Sequence, residues 1–226
     1  MKTAVILAGH LRTWEQVKES FKIFMSNIDY DLFVTTYNNQ YGYHPHIKEF
    51  INFYDETEIE VNENLFENLN LKSLVIDDPN DIKQVYSNST IHSDMQFENC
   101  FCQFYKINNI LKNIENFEKE NNFKYDFILR TRPDVVYNDI SIINDNDVIV
   151  TEGNIFPNDW FVLCDRDSFF KISKNIIDEF YTNSFGDSHI ELPHKLLYNS
   201  IIANGLSIKK QPIIKYIMRA NGPQYY

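Results

Sequence analysis

The stretch from Asn122 to Tyr137, NFKYDFILRTRPDVVY, limits what this chain can become more than any other. Tyr125 to Leu129 is an apolar run of core-strand length. It leads directly into Arg130, Thr131, Arg132, Pro133 and Asp134. Those charges need a partner or a ligand if they are buried. Pro133 cannot donate to a sheet ladder and holds Arg132 in an extended geometry, so the strand is expected to end there. Two guanidiniums and a carboxylate at the carboxyl end of a central strand lie where an open α/β sheet keeps its ligand. Arginine forks suit phosphate, and an aspartate suits a hard metal ion or a sugar hydroxyl. The plainer alternative is an arginine–aspartate pair that closes the strand end.

The rest of the chain alternates strands and helices. Residues 3–8 (TAVILA) read as a strand and 9–13 as a loop. Residues 14–27 read as a helix, with Thr13 as N-cap and Val17, Phe21, Phe24 and Met25 on one face. Asp31 to Tyr37 completes a β-α-β unit. Residues 46–54 read as helical, 58–62 as a short strand, and Leu74 to Ile76 as the end of another strand before a turn-rich DDPND. Ser93 to Glu120 carries Phe101, Phe104, Ile107, Ile110, Leu111 and Ile114 at three-four spacing and reads as a long helix. Strands are expected at Val148–Thr151 and Asn158–Leu163. Helices are expected at Asp167–Tyr181 and Ile190–Asn204, the last with Gly205 as C-cap. Leu206–Lys209 and Ile213–Met218 read as a terminal pair of strands. The alternation predicts an α/β fold, a mostly parallel central sheet flanked by helices, in a single domain spanning 1–226.

The 226 residues are 43% hydrophobic and 15% aromatic, enough for one full core. No apolar run reaches the eighteen residues of a membrane span, and MKTAVILAG is too short for a secretory signal. A cytoplasmic location is therefore expected. Cys100, Cys102 and Cys164 lack the paired spacing of a zinc site and read as buried reduced thiols. The net charge of −11 argues against a nucleic-acid partner. A small anionic ligand remains open, because Arg12, Arg130 and Arg132 all fall at expected strand ends.

Several stretches together resemble a family of GT-A-fold glycosyltransferases from bacterial surface-polysaccharide clusters and large DNA viruses. They are the opening AVILAGHLRTW followed by a helix and DLFVTTY, Gln103-Phe104-Tyr105-Lys106, YDFILRTRPDVVY, Asp159-Trp160-Phe161, and Glu191-Leu192-Pro193-His194. The resemblance implies a Rossmann-like GT-A domain that moves a sugar from a nucleotide sugar, a UDP-sugar for choice, to a hydroxyl of a glycan or glycoconjugate. It also implies a divalent Mn²⁺ or Mg²⁺ held by an Asp-x-Asp. Here that place reads Arg132-Pro133-Asp134, with only the final acid, so Arg130 or Arg132 could take over part of the charge neutralisation. A literal Asp-x-Asp at Asp165-Arg166-Asp167 sits at a helix start, where acids suit the dipole, and is read as a decoy.

On this reading Ala8, Gly9, His10 and Arg12 wall the nucleotide, Thr36 and Tyr37 meet base or ribose, and Gln103 lines the pocket beside Tyr105. Arg130 and Arg132 take the phosphates, Asp134 takes the metal, and His189 or His194 could complete the metal's shell. Asp159 and Glu191 are the candidate bases, with Trp160 packing on a sugar. MKTAVILAG is also similar to sugar nucleotidyltransferases, but their Gly-rich loop is reduced here to Gly9. A nucleotide-sugar-binding protein that has lost catalysis is the other alternative, since a degenerate Asp-x-Asp is what such loss would leave.

Overall fold

The first strand explains the architecture. β1 (Thr3–Ala8) is buried at all six positions, the mark of a strand covered on both faces. Ala4, Ile6 and Ala8 enter one core and Val5 and Leu7 another. The computed structural model describes residues 1–11, 13–37, 41–44, 49–52, 60–78, 95–138, 147–152, 156–182, 192–219 and 222–224.

Within them the strands are β1, β2 (Tyr30–Tyr37), β3 (Tyr41–His44), β4 (Glu49–Asn52), β5 (Leu71–Asp77), β6 (Phe127–Thr131), β7 (Val135–Tyr137), β8 (Val148–Thr151), β9 (Asn158–Asp165), β10 (Ile208–Gln211), β11 (Ile214–Arg219) and β12 (Gly222–Gln224). The helices are α1 (Trp14–Met25), α2 (Met95–Asn121), α3 (Arg166–Thr182) and α4 (Leu192–Ala203). Seven strands form the central sheet in the order β10-β8-β9-β6-β1-β2-β5, and β12-β11-β7 form a small second sheet. All central pairings are parallel except those of β9, which runs antiparallel between β6 and β8. The expected α/β fold with a mostly parallel sheet is what the chain adopts.

Helices α2, α3 and α4 cover one face, with Phe101, Phe104, Ile110, Phe169, Ile172 and Leu197 in that core. Helix α1 and the small sheet cover the other, through Trp14, Phe21, Val135, Tyr137 and Ile217. Two caps follow from local chemistry, and a third expected one does not form. Asp165 accepts from the Ser168 amide at 3.0 Å and caps α3. Gly205, at φ +70°, closes α4 with its amide on the Ile202 carbonyl and that of Leu206 on the Ile201 carbonyl, a Schellman turn. The Thr13 hydroxyl, expected to cap α1, instead donates to the Met218 carbonyl and ties the helix start to β11.

Other expectations shift. Residues 49–52 are a strand paired with β3 rather than a helix, the rest of 46–54 lying outside the described residues. Residues 60–62 lead into a 3-10 turn at Glu63–Phe66 rather than forming a strand, with 58–59 outside the described residues. The last strands do not pair with each other: β10 joins β8, and β11 joins β7 and β12. Cys100, Cys102 and Cys164 are free thiols, the first and last buried.

Candidate functional site

Strand β1 has β2 and then β5 on one side and β6 on the other. The order therefore reverses between β1 and β6, and the carboxyl ends of such strands frame the crevice where open α/β sheets bind ligands. The residues there meet. Gly9 lies against Pro133: a Cβ at Gly9 would stand 3.0 Å from Pro133 Cδ, and its φ of +143° suits glycine alone. The AGH and RTRPD stretches, 124 positions apart from Gly9 to Pro133, thus form one wall. The Gly9 amide donates to the Thr35 carbonyl at 3.1 Å, and the His10 ring lies 5.0 Å from the Tyr37 ring.

β6 ends at Thr131, just ahead of Arg132 and Pro133, as the sequence suggested. β6 runs on through Arg130 and Thr131, so Arg130 is inside the ladder, opposite Ile6 and Val162, and not beyond it. Its side chain enters the helical core, 3% exposed. Nη1 donates to Asp159 Oδ2 at 3.3 Å. Gln103 Nε2, from α2, donates to the same oxygen. His194 Nδ1, from α4, lies 3.0 Å from Asp159 Oδ1 and 3.2 Å from the Asp159 amide. One nitrogen cannot donate to the carboxylate and accept from the amide at once. The ionised carboxylate favours the Nδ1–H form, because a charge-assisted bond is the stronger.

Burial alone would raise the Asp159 carboxyl. The Arg130 guanidinium, the hydrogen bond and charge of His194, and Arg132 outweigh it and hold the group well below the usual carboxylate range. A carboxylate so stabilised in its ionised form is a weak base. Arg130 Nε and Ser173 Oγ have no hydrogen-bond partner among the described residues, and both line a cavity of about 20 Å³ beneath Phe104 and Phe169. Arg130 thus faces the helices.

Arg132 and Asp134 make a separate unit. Nε and Nη2 of Arg132 donate to Oδ1 and Oδ2 of Asp134 at 2.8 and 2.7 Å, a two-pronged fork. The Asp134 side chain is 3% exposed and that of Arg132 22%. The Asp134 carbonyl accepts from the Met218 amide at 2.7 Å, which fixes the turn after β6. A divalent ion needs carboxylate oxygens turned toward it. Here both oxygens of Asp134 are held by Arg132, and the described residues contain no group of three His, Cys, Asp or Glu that could hold a metal. Among the described residues, those at this position do not fit a protein-held metal.

Lys106, three residues after Gln103 on α2, was given no role by sequence reasoning. Its ammonium, 3% exposed as a residue, lies 3.3 Å above the Tyr37 ring and 3.6 Å from Asp77 Oδ2 at the end of β5. Asp77 also accepts from the Thr35 hydroxyl at 2.7 Å. Burial pulls the Lys106 ammonium down to about 8, with Asp77 partly opposing it. The available signal was a lysine breaking the apolar stripe between Phe104 and Ile107.

Of the other expected residues, Ala8 and Thr36 are buried, and the Thr36 hydroxyl donates to the Tyr37 carbonyl at 3.4 Å. Tyr105 stacks on Phe101 at 5.6 Å. Trp160 lies 6.2 Å from the His194 ring. Arg12, His189 and Glu191 lie outside the described residues. The Asp165-x-Asp167 pair serves the fold: Asp165 caps α3, and Arg166 forks onto Glu118 at 2.7 and 2.6 Å, joining α3 to α2.

No family model and no curated protein matches the chain. Among the solved structures similar to it are two crystal structures of the glycosyltransferase GlyE of Streptococcus pneumoniae TIGR4, one of them in its apo form. Each is 11% identical with a TM-score of 0.46. The alignments cover 92% and 93% of this chain and 45% of each neighbour, so the chain spans less than half their length. No residue role transfers at that identity. Among the described residues no helix is long and apolar enough to cross a membrane.

Proposed function

We propose that the protein is a GT-A glycosyltransferase that moves a sugar from a nucleotide sugar, a UDP-sugar for choice, to a hydroxyl of a glycan or glycoconjugate in the cytoplasm. The observation that carries this reading is the meeting of Gly9 and Pro133 at the β1/β6 switch point, where the two stretches with the family resemblance form one wall. Gly9 lets a diphosphate approach the backbone, Arg132 offers it positive charge, and Tyr37 offers a ring for the base. His10, beside Tyr37, extends that wall.

In the reaction the acceptor oxygen bonds to the anomeric carbon, the bond from that carbon to the phosphate oxygen breaks, and the nucleoside diphosphate leaves. The acceptor proton passes to a base, and positive charge near the leaving group lowers the barrier. Asp159, closed in by Arg130, Gln103 and His194, suits the task of holding β6, β9, α2 and α4 in place. The base then falls to Glu191, just ahead of α4.

The weak basicity of Asp159 favours one second reading, a nucleotide-sugar-binding protein without transfer. Incubating the purified chain with UDP-, GDP-, dTDP- and CMP-sugars and measuring nucleotide release separates them. Release from one donor class, faster with acceptor, is expected. Binding without release supports the binder, and pyrophosphate from a nucleoside triphosphate and a sugar phosphate would instead indicate a nucleotidyltransferase.

A further inference from the structure

We infer that Arg132, held in place by Asp134, supplies the positive charge that a metal would bring to the donor's diphosphate, so that donor binding is independent of divalent ions. This rests on the glycosyltransferase reading above. Three observations carry it.

The one acid at the expected metal position has both oxygens engaged by a single guanidinium, at 2.8 and 2.7 Å. The backbone that carries the fork is anchored, because the Asp134 carbonyl accepts from the Met218 amide and Pro133 abuts Gly9. An arginine held this way loses little side-chain freedom when a phosphate arrives. The other arginine of the motif is not available for this work: Arg130 is 3% exposed, faces the helices and is paired with Asp159. Arg132, with 22% of its side chain exposed at the crevice end of β6, is the cation of the pair that reaches the edge. Asp134 is then a positioning residue whose charge raises the fork's order, and not a metal ligand.

Calorimetric titration of UDP, GDP, dTDP and CMP into the full chain tests this, once in EDTA and once in Mn²⁺. One diphosphate is expected to bind in EDTA within about threefold of its affinity in Mn²⁺. Arg132→Ala should weaken it about tenfold or more in both conditions, the size of a charge-assisted contact. Arg132→Lys should recover only part of the loss, since an ammonium cannot make the planar fork, and it serves as the test if the alanine variant does not fold by circular dichroism. Asp134→Asn should fall between wild type and Arg132→Ala and leave the EDTA-to-Mn²⁺ ratio unchanged. Binding that requires Mn²⁺ and disappears in Asp134→Asn overturns the inference but leaves the glycosyltransferase reading standing. Unaltered binding by Arg132→Ala also overturns it. No binding of any nucleotide in either condition overturns the glycosyltransferase reading itself.

Discussion

Lys106 is the residue whose presence is hardest to explain by folding alone. Its charge is buried against one carboxylate and one ring, and the balance of burial over attraction leaves its pKa at about 8, below the ordinary 10.5. Between pH 8 and 10.5 the unfolded chain keeps a proton that the folded chain has lost, so this group makes stability rise with pH across that window. Lys106→Met keeps the apolar stem and removes the charge. It should raise the melting temperature at pH 7 by a few degrees and abolish the lysine's share of the rise above pH 8, measured by thermal melts of both proteins from pH 7 to 10.5. If Lys106 served mainly to hold Asp77, the variant would melt lower. A charge kept at such a cost beside Tyr37 is suited to a ligand, so Lys106→Met should also weaken nucleotide binding. Asp159 shows the opposite balance. Its folded pKa is depressed, so its stabilisation is present above the unfolded value near 3.8 and fades as pH falls below it. Asp159→Ala strands the Arg130 charge in the core and should cost about 3–5 kcal/mol in urea unfolding. A loss under about 1 kcal/mol would mean that the pair contributes little.

At the scale of elements, the turn after β6 and the loop after β1 work as one piece. Gly9→Ala places a methyl 3.0 Å from Pro133 Cδ in a backbone conformation that L residues avoid. It should destabilise the chain by about 1–2 kcal/mol and loosen nucleotide binding, because the wall must open to admit the Cβ. Normal stability and affinity would remove Gly9 from the site. Much of this was legible in the chain: TAVILA is apolar on both faces, so a central strand was readable, and Pro133 marked a strand end. What escaped was which way Arg130 pointed. Apolar alternation along FILRT does not say that position 130 faces α2, where Asp159 arrives from β9. That pairing depends on the antiparallel insertion of β9, and no local pattern encodes it. Thr13 escaped for a similar reason, since its hydroxyl found the Met218 carbonyl rather than the helix amides. Residues 49–52 form a strand through pairing with β3, a partner that periodicity within 46–54 could not report.

For the molecule as a whole, the two cores divide the labour. The face covered by α2, α3 and α4 encloses the Arg130–Asp159–His194–Gln103 network, and the face covered by α1 and the small sheet anchors the turn after β6 through Met218. At the opposite, amino-terminal edge, Asp31 is buried and accepts from Tyr125, Asn70 and Lys2 at 2.6, 2.6 and 2.7 Å. That knot ties β1, β2 and the start of β6 together, at the end of the sheet away from the carboxyl edge proposed for the ligand. The central claim is that the ligand lies between β1 and β6 at that edge. Hydrogen–deuterium exchange of the full chain, with and without saturating UDP, GDP, dTDP or CMP, tests it most directly. One nucleotide should slow exchange in residues 8–11, 35–37 and 130–134 and leave the Asp31 edge unchanged. Protection confined to other segments, or none with any of the four, would contradict it.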